Sequence, residues 1–482
     1  MTEKNVKEKT ISGLFWRFME RCGAQGVNFV VTIILARLLA PELYGTIALV
    51  TVFTAILQIF VDSGMGNALI QKINADDVDF SSVFYFNMAV CVILYLCMFF
   101  AAPHIAAFYG KPELTKVVRV LSLTLIISGV KNIQQAYVSK HMLFRKFFFS
   151  TLGGTITAAV VGIGMAYAGY GVWALVAQDL TNKLIDTVVL WFTVKWRPKF
   201  LFSLKRLRKL ISYGWKLLVS SLIDSVYNNV RQLIIGRMYS SADLGLYNKG
   251  QQIPSTIVNN INTSIDSVLF PAMSSQQEDR ERVKSMTRRS IKTSSYIMWP
   301  LMMGLAFTAP TVVSLLLTDK WLGAVLYLRV FCITYAFYPI HTANLNAIKA
   351  VGRSDLFLVL EIIKKTVGIL SMIATMWISV EAMAYSLLFV SIVSQMINSW
   401  PNRKLLGYSY LEQMKDIMPS VLLSLASCLC IVPFQFIAVP KIMKLMLQVI
   451  VAAVIYITLS KVFRMEAFEY VVRTAKGLKK EK

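Results

Sequence analysis

The sequence predicts an all-α, polytopic membrane protein of about 14 transmembrane helices, arranged as two pseudo-symmetric six-helix lobes plus two C-terminal helices. Three observations predict this class. The 482 residues are 56% hydrophobic, and the mean hydropathy is +0.58, as is typical of chains that cross a membrane many times. Apolar segments of spanning length recur along the whole chain. Finally, a pattern at the end of the first segment returns in the second half of the chain.

The spans are identified by length, because a bilayer-spanning helix needs about 20 mainly apolar residues. The apolar run from Ile11 is interrupted by Arg17, Glu20 and Arg21 and then continues to Leu39, so it predicts a first span rather than a cleavable signal. The predicted spans are 11–37, 43–69, 82–108, 114–138, 147–168, 172–194, 209–236, 243–270, 290–317, 323–348, 355–377, 380–400, 416–437 and 441–460.

Basic residues are concentrated in every second predicted loop. The net charge of +24 would suggest nucleic acid as a partner for a soluble chain, but here the charge lies between apolar runs. Every second loop is basic, as after residues 140, 197, 280 and 403, whereas the intervening loops hold little beyond Arg37, Lys111, Arg237, Lys320 and Lys441. This positive-inside pattern predicts that both termini are cytoplasmic and that no nucleic acid is bound.

The repeated pattern divides the chain. Arg37 precedes Gly45 by the same spacing as Arg237 precedes Gly245, and paired hydrophobic halves are typical of duplicated transporters. The predicted domains are residues 1–197 as the N-lobe with spans 1–6, 198–208 as a cytoplasmic basic linker, 209–402 as the C-lobe with spans 7–12, and 403–482 as spans 13–14 and a basic cytoplasmic tail. Because Trp196, Phe200 and Phe202 alternate with basic residues, the linker region is expected to lie as an amphipathic strip on the inner leaflet.

No pattern of catalytic or cofactor chemistry is found in the sequence. The six cysteines fall in apolar stretches and have no metal-ligand spacing with the three histidines, which predicts reduced core thiols. A Walker motif and a nucleophile–base set are both missing. We therefore expect no cofactor, no metal and no enzymatic activity, and we expect an ion gradient or the substrate gradient to supply the energy.

Charged side chains inside the spans predict a binding cavity, because such charges are costly in a bilayer and usually face a cavity or a partner. Arg17 and Arg21 share one face of span one, although Glu20 can pair with Arg17 in a purely structural role. Asp224 and Arg231 share a face of span seven. The substrate-binding candidates are Arg17, Arg21, Arg119, Lys131, Lys216, Arg231 and Lys249, and the coupling-ion or charge-balancing candidates are Asp62, Asp224 and Asp266. Arg37 and Arg237 lie at span ends and are interpreted as caps of helix carbonyls.

Three motifs resemble one family of transporters. The run from Ala36 to Gly45, Ala-Arg-Leu-Leu-Ala-Pro-Glu-Leu-Tyr-Gly, looks like the first-loop signature of polysaccharide-exporting flippases of the multidrug/oligosaccharidyl-lipid/polysaccharide superfamily. Residues 244–248 and 268–274 resemble second-half signatures of its lipopolysaccharide, colanic acid and teichuronic acid branch. The resemblance implies two six-helix lobes around a central cavity, two extra helices, and movement of undecaprenyl-linked oligosaccharide repeat units to the outer leaflet.

The leading hypothesis is therefore a flippase in the bacterial cytoplasmic (inner) membrane. It would move undecaprenyl-diphosphate-linked oligosaccharides by alternating access through a cationic central cavity, since arginine donates two hydrogen bonds at once to phosphate. Membrane lipids and glycan-assembly proteins are the further candidate partners. One alternative is a cation-coupled multidrug exporter of the same superfamily, which would need an acidic cavity. A second is a membrane glycan polymerase or ligase, which usually needs a sizeable outer loop. A third is a scaffold in a glycan-assembly complex.

Overall fold

A computed structural model describes residues 3–62, 65–72, 74–437 and 439–480. All regular elements in these ranges are helices, which confirms the predicted all-α class. The chain divides into two compact units, one ending at Gly245 and the other beginning at Leu246.

The described residues of the first unit form nine helices and the start of a tenth. They are α1 (Glu3–Leu38), α2 (Pro41–Asp62), α3 (Met65–Gln71), α4 (Asp77–Phe108), α5 (Leu114–Leu121), α6 (Leu123–Lys140), α7 (Arg145–Tyr167), α8 (Val172–Thr193), α9 (Leu204–Met238) and the first residues of α10 (Ser241–Ser274). Helix α7 packs closely on α8 and α1, and α9 packs on α2, α3 and α4. Gly154 of α7 permits the close packing on α8, because a Cβ at this position would lie 2.8 Å from the carbonyl oxygen of Asn182.

In the described part of the second unit, the rest of α10 is followed by eight further α-helices and two short 3-10 helices, with α11 at the centre. The eight α-helices are α11 (Arg280–Leu316), α12 (Ala324–Ala336), α13 (Tyr338–Ala350), α14 (Ser354–Thr375), α15 (Val380–Leu406), α16 (Tyr410–Leu429), α17 (Lys441–Val462) and α18 (Glu466–Lys480). Helix α11 packs against α12, α13, α16, α17 and α18. The sequence predicted only a basic tail where the structure has α18.

The helices follow the predicted spans closely. Each of the fourteen predicted segments lies mostly within one helix or across two consecutive helices. Segment 114–138 is divided at Ser122 between α5 and α6, and segment 323–348 is divided between α12 and α13. Among the described residues, eight helices or helix pairs have both the length and the hydropathy of a membrane span. The chain is thus a multi-pass membrane protein, and the count of fourteen remains a prediction.

Side-chain caps fix where several helices begin. Asp76 accepts a hydrogen bond from the backbone N–H of Asp79, and the Asp79 carboxylate accepts one from the N–H of Asp76, so a capping box starts α4. Ser409 and Glu412 form the same arrangement at α16. These caps replace the hydrogen bonds that the first turn of a helix cannot make with itself.

The connection between α8 and α9 docks on the start of α4. Trp196 is buried against Phe80, and its indole N–H donates to Asp77 at 3.1 Å. The Lys199 ammonium lies 2.5 Å from Asp77, while Phe200 remains almost fully exposed. The expected amphipathic strip is therefore tied to the protein through its basic residues, and its contact with a membrane remains a prediction. The predicted domain boundaries also remain predictions; α9, assigned to the C-lobe, belongs to the first unit of the structure.

Three of the six cysteines fit the prediction of core thiols. All six are free of disulfides, but only Cys91, Cys332 and Cys428 are buried. Cys22 and Cys97 are exposed on helices, and Cys430 is exposed just after the end of α16. Apolar composition in a span does not separate the face toward the protein from the face toward lipid.

Candidate functional site

The two copies of the repeated turn pack against each other within the first unit. A Cβ on Gly45 would lie 1.7 Å from the backbone oxygen of Ser241, and a Cβ on Gly245 would lie 2.2 Å from that of Pro41. Only a residue without a side chain permits this reciprocal approach of two backbones. The equal spacing of arginine and glycine in the two halves thus marks a contact between the turns. Arg37 and Arg237 lie in the last turns of α1 and α9, as predicted.

A charged cluster lies where α2, α6 and α8 meet in the first unit. The Lys131 ammonium of α6 lies 2.5 Å from the Asp186 carboxylate of α8, and both side chains are largely buried. At the end of α2, Asp62 accepts a hydrogen bond from the Asn132 side chain at 3.2 Å. Lys131 and Lys183 are the basic groups close enough to act electrostatically on Asp62. Sequence reasoning noted Asp186 as a charge of span six, but it selected only Lys131 and Asp62 as candidates and did not pair Asp186 with the lysine.

This cluster contains both signs of charge and an open acceptor position. Lys183 lies 3.8 Å from Asp179, one turn away on α8. In the described residues, the Asp186 Oδ1 atom is buried without a hydrogen-bond partner. A buried carboxylate oxygen that lacks a donor is costly, so this position suits a cation, a water molecule or a substrate hydroxyl.

On α1, the structure separates the two arginines that the sequence grouped. Arg17 forms the predicted pair with Glu20 at 2.9 Å, and its guanidinium lies 4.1 Å from the ring centroid of Phe147 on α7. Glu20 also accepts a hydrogen bond from Thr151 at 3.1 Å. Arg17 therefore helps to join α1 to α7, whereas the Arg21 side chain is exposed.

Arg119 has a structural partner created by a proline. Pro103 has no N–H, so the carbonyl of Phe99, four residues earlier in α4, loses its helical hydrogen bond. The Arg119 Nε atom donates to this oxygen at 3.2 Å, and the guanidinium lies 4.1 Å from the Phe99 ring centroid. Within a membrane, a freed carbonyl needs a protein donor of this kind.

The second unit contains the same device in the corresponding spans. Pro310 frees the carbonyl of Ala306 in α11, and Arg329 of α12 donates to that oxygen at 3.1 Å. In spans three and four, and again in spans nine and ten, an arginine of the second span therefore bonds a carbonyl that a proline leaves without a partner in the first span. This correspondence is independent of the repeated turn, and it explains a charge that the sequence assigned to substrate.

The remaining candidates are distributed over α9 and α10. On α9, Asp224 is exposed and Arg231 is buried, while the side chain of Lys216 lies outside the described residues. On α10, the buried Lys249 donates to the Gln252 side chain at 3.0 Å, and Asp266 accepts from Asn346 at 2.8 Å. These contacts leave the predicted roles of the ten candidates in binding untested.

A buried polar network in the second unit was missed by the sequence analysis. Asn344 of α13 and Gln413 of α16 exchange two hydrogen bonds of 2.9 Å, and Asn402 donates to Asn344 at 2.7 Å. The network members on α15 are Ser391, Gln395, Asn398 and Asn402, spaced four, three and four residues apart on one helix face. That spacing is a sequence signal, but a search restricted to charged residues does not detect it.

The fold resembles that of solved membrane transporters. The solved structure of the lipid II flippase MurJ, in an inward closed conformation, matches with a TM-score of 0.75 and 14% identity, covering 94% of this chain and 98% of MurJ. An inward-facing transporter of the multidrug resistance MATE family matches with a TM-score of 0.61 and 13% identity, covering 82% of this chain and 94% of that protein. At this identity the two likenesses establish the fold alone.

Sequence comparison identifies the family. A family described as polysaccharide biosynthesis protein matches residues 34–326, so the chain belongs to that family. The succinoglycan biosynthesis transport protein ExoT of Rhizobium meliloti is 26% identical over 317 residues, which cover 66% of this chain and 64% of ExoT. The teichuronic acid biosynthesis protein TuaB of Bacillus subtilis is 28% identical over 310 residues, or 63% of each chain. The matched part is thus just under two thirds of these two relatives. The predicted polysaccharide-transporter branch of the flippase superfamily is confirmed.

Proposed function

We propose that this chain is a flippase that moves undecaprenyl-diphosphate-linked oligosaccharide repeat units across the bacterial cytoplasmic membrane. The match to the polysaccharide biosynthesis family over residues 34–326 carries the proposal. It is supported by ExoT, a relative named as a transport protein, and by the fold of a lipid II flippase. The chain performs no catalytic step in this proposal, and it uses alternating access through a cationic cavity.

The phosphate contacts are assigned first to Arg21 and Arg231. Arg21 is exposed on α1, and Arg231 lies on α9 in predicted span seven, the repeat partner of span one. A guanidinium matches a phosphate group with two parallel hydrogen bonds. Lys216 and Lys249 remain candidates for binding the substrate, and the lipid tail stays in the membrane.

The coupling cation is assigned to the α2–α6–α8 cluster. Asp62 lies beside Lys131 and Lys183, and Asp186 has an oxygen without a donor among the described residues. A proton or sodium ion at this position would release Lys131 from Asp186 and change the charge of the cluster. Asp224 and Asp266 balance charge on α9 and α10 in this scheme.

Replacement of the two arginines tests the substrate assignment. Arg21→Ala and Arg231→Ala should each weaken transport strongly, since loss of a charge-assisted contact to a buried anion costs on the order of 2–5 kcal/mol. Lysine at either position should retain part of the activity. The assay is surface glycan per unit of protein in cells that lack the native gene, with the exposed Arg403→Ala as the matched control. Normal export by both alanine variants at normal abundance would remove these residues from the mechanism.

The same variants separate the two transporter classes. The similarity to a multidrug resistance transporter and the three aspartates of the α2–α6–α8 cluster favour a cation-coupled drug exporter as the second candidate. An exporter of organic cations would gain or keep activity when Arg21 is neutralised, because the lost charge repels its substrate. Drug efflux that increases in Arg21→Ala while surface glycan is unchanged would favour that alternative.

The proposed orientation places both termini in the cytoplasm. It rests on the alternation of basic and non-basic loops. Reporter fusions after Tyr109, Tyr170, Met238 and Lys320 should report the outside, and fusions after Lys72, Lys199, Glu278 and Lys404 should report the cytoplasm. A reproducible inversion at one fusion would overturn the span count from that position onward.

A further inference from the structure

The second unit contains a large apolar cavity that the transport function does not use. Its volume is about 780 Å³, and it lies between the second half of α10 and the first half of α11, with Tyr470 of α18 at one end. We call it the α10–α11 cleft. Its walls are mainly aliphatic and include Ile261, Ile265, Val268 and Leu269. The Val268–Ser274 motif, which the sequence analysis noticed only as a family signature, supplies part of this wall.

One end of the cleft is basic. Arg289 lines the cleft and also an adjoining cavity of about 210 Å³, which Arg473 and Lys292 line as well. The Arg289 guanidinium lies 5.2 Å from the ring centroid of Tyr470. In the part of the chain that the structure describes, neither Arg289 nor Arg473 has a carboxylate within ion-pair distance.

Two carboxylates, Glu466 and Glu469, also line the adjoining cavity, and its three basic side chains outnumber them. Glu466 is bound by Lys292, whose ammonium lies 2.6 Å from the carboxylate, and Lys292 also lies 3.3 Å from Asp416. Those contacts hold α18 and α16 on α11. They leave two guanidinium groups at the mouth of an apolar cleft, an arrangement that fits a molecule with a long hydrocarbon part and an anionic head.

The length of the cleft indicates which kind of molecule it can bind. Its α10 wall runs from Asn260 to Ala272, and twelve steps of the helical rise correspond to about 18 Å. The hydrocarbon of one leaflet, half of a bilayer core, is about 15 Å thick. The mouth lies at the end where α10 stops and α11 starts, which the loop charges predict to be cytoplasmic. The wall therefore matches a lipid of a single leaflet with its head at Arg289.

We propose that the α10–α11 cleft binds one anionic phospholipid of the inner leaflet. Its acyl chains fill the space between α10 and α11, and its phosphate lies against Arg289 and Arg473. The bound lipid packs α10 against α11 and holds α18 at the membrane surface. The site is independent of the proposed flippase activity, because none of its residues is assigned to the glycan lipid.

Lipid retention by the purified full chain tests this proposal. Native mass spectrometry after equilibration with phosphatidylglycerol or phosphatidylcholine should find one retained lipid, with phosphatidylglycerol preferred. The double variant R289Q/R473Q should lower that preference by about tenfold, since each arginine contributes at an anionic head group. The matched control R280Q removes a charge from the first residue of the same helix, outside the cleft, and should leave the preference unchanged.

A second variant tests the apolar part without changing charge. Ser264→Trp places a large ring in the cleft and should reduce retention of both lipids, whereas Ser267→Trp, on the same helix but not in the cleft wall, should not. Unchanged preference in R289Q/R473Q together with unchanged retention in Ser264→Trp would overturn the proposal. Equal losses in the control variants would also overturn it. Displacement of phosphatidylglycerol by an equal amount of polyprenyl diphosphate would instead assign the cleft to the carried lipid, against the proposal.

Discussion

The hydrogen bond from Arg119 to the carbonyl freed by Pro103 predicts a strong coupling between these two residues. Arg119→Met keeps the length of the side chain but removes the donor, so the Phe99 oxygen is left without a partner inside the membrane. A hydrogen bond from a charged group contributes about 1.5–3 kcal/mol. The contact with the Phe99 ring adds about 0.5–2 kcal/mol, so the single replacement should destabilise the protein by about 2–5 kcal/mol.

Pro103→Ala changes that cost because alanine restores the N–H that bonds to Phe99. In this background, Arg119→Met should lose only the ring contact, or about 1 kcal/mol. The ring contact is lost in both backgrounds, so the coupling energy of the double-mutant cycle equals the hydrogen-bond contribution of about 1.5–3 kcal/mol. The assay is thermal or denaturant unfolding of the purified chain in one detergent. Additive effects of the two replacements would refute the assignment of Arg119 to the freed carbonyl. Pro310 and Arg329 provide a parallel cycle in the second unit, with the same sign expected.

Three further predictions concern the first unit. Lys131→Met should destabilise the protein by about 3–5 kcal/mol because it leaves Asp186 buried and unpaired, and the pair Lys131→Met/Asp186→Leu should recover most of that loss in the same unfolding assay. A hydrogen bond from Arg206 lowers the pKa of Asp76 to about 2. The ionised carboxylate should therefore stabilise the folded protein above pH 4, and this stabilisation should be lost between about pH 4 and pH 2. Asp76→Asn should abolish this pH-dependent change in melting curves. Gly45→Ala should reduce folded yield because its Cβ meets a backbone oxygen, whereas Gly164→Ala, with open space around it, should not.

Hydropathy predicted the helices well because a chain in lipid has few ways to satisfy its backbone. Every stretch that crosses must bond its own N–H and C=O groups, so length and apolar composition nearly determine where helices lie. The repeated Arg37–Gly45 spacing predicted a duplication, which remains a prediction, and the sequence did not predict the close backbone contact that requires its glycine. The division of segment 114–138 at Ser122 was not predictable, because both of its parts are helical and equally apolar.

The pairing of charges was the least predictable feature. Spacing along a helix correctly predicted Arg17 with Glu20, which are three residues apart. Spacing could not predict the pair of Lys131 and Asp186, because these residues are 55 residues apart and meet only when α6 packs on α8. The partner of Arg119 was missed for the same reason. A proline identifies which carbonyl is freed, but the donor to that carbonyl depends on which helix packs beside it.

Transport by the purified chain is the most direct test of the proposed flippase. Proteoliposomes would carry a polyprenyl-diphosphate oligosaccharide with a fluorescent label on the sugar, and a membrane-impermeant reagent would quench label in the outer leaflet. The account predicts that label from both leaflets becomes accessible in the presence of the protein and that Arg21→Ala and Arg231→Ala slow this process. Accessibility limited to the outer-leaflet fraction, as in protein-free vesicles, would contradict it.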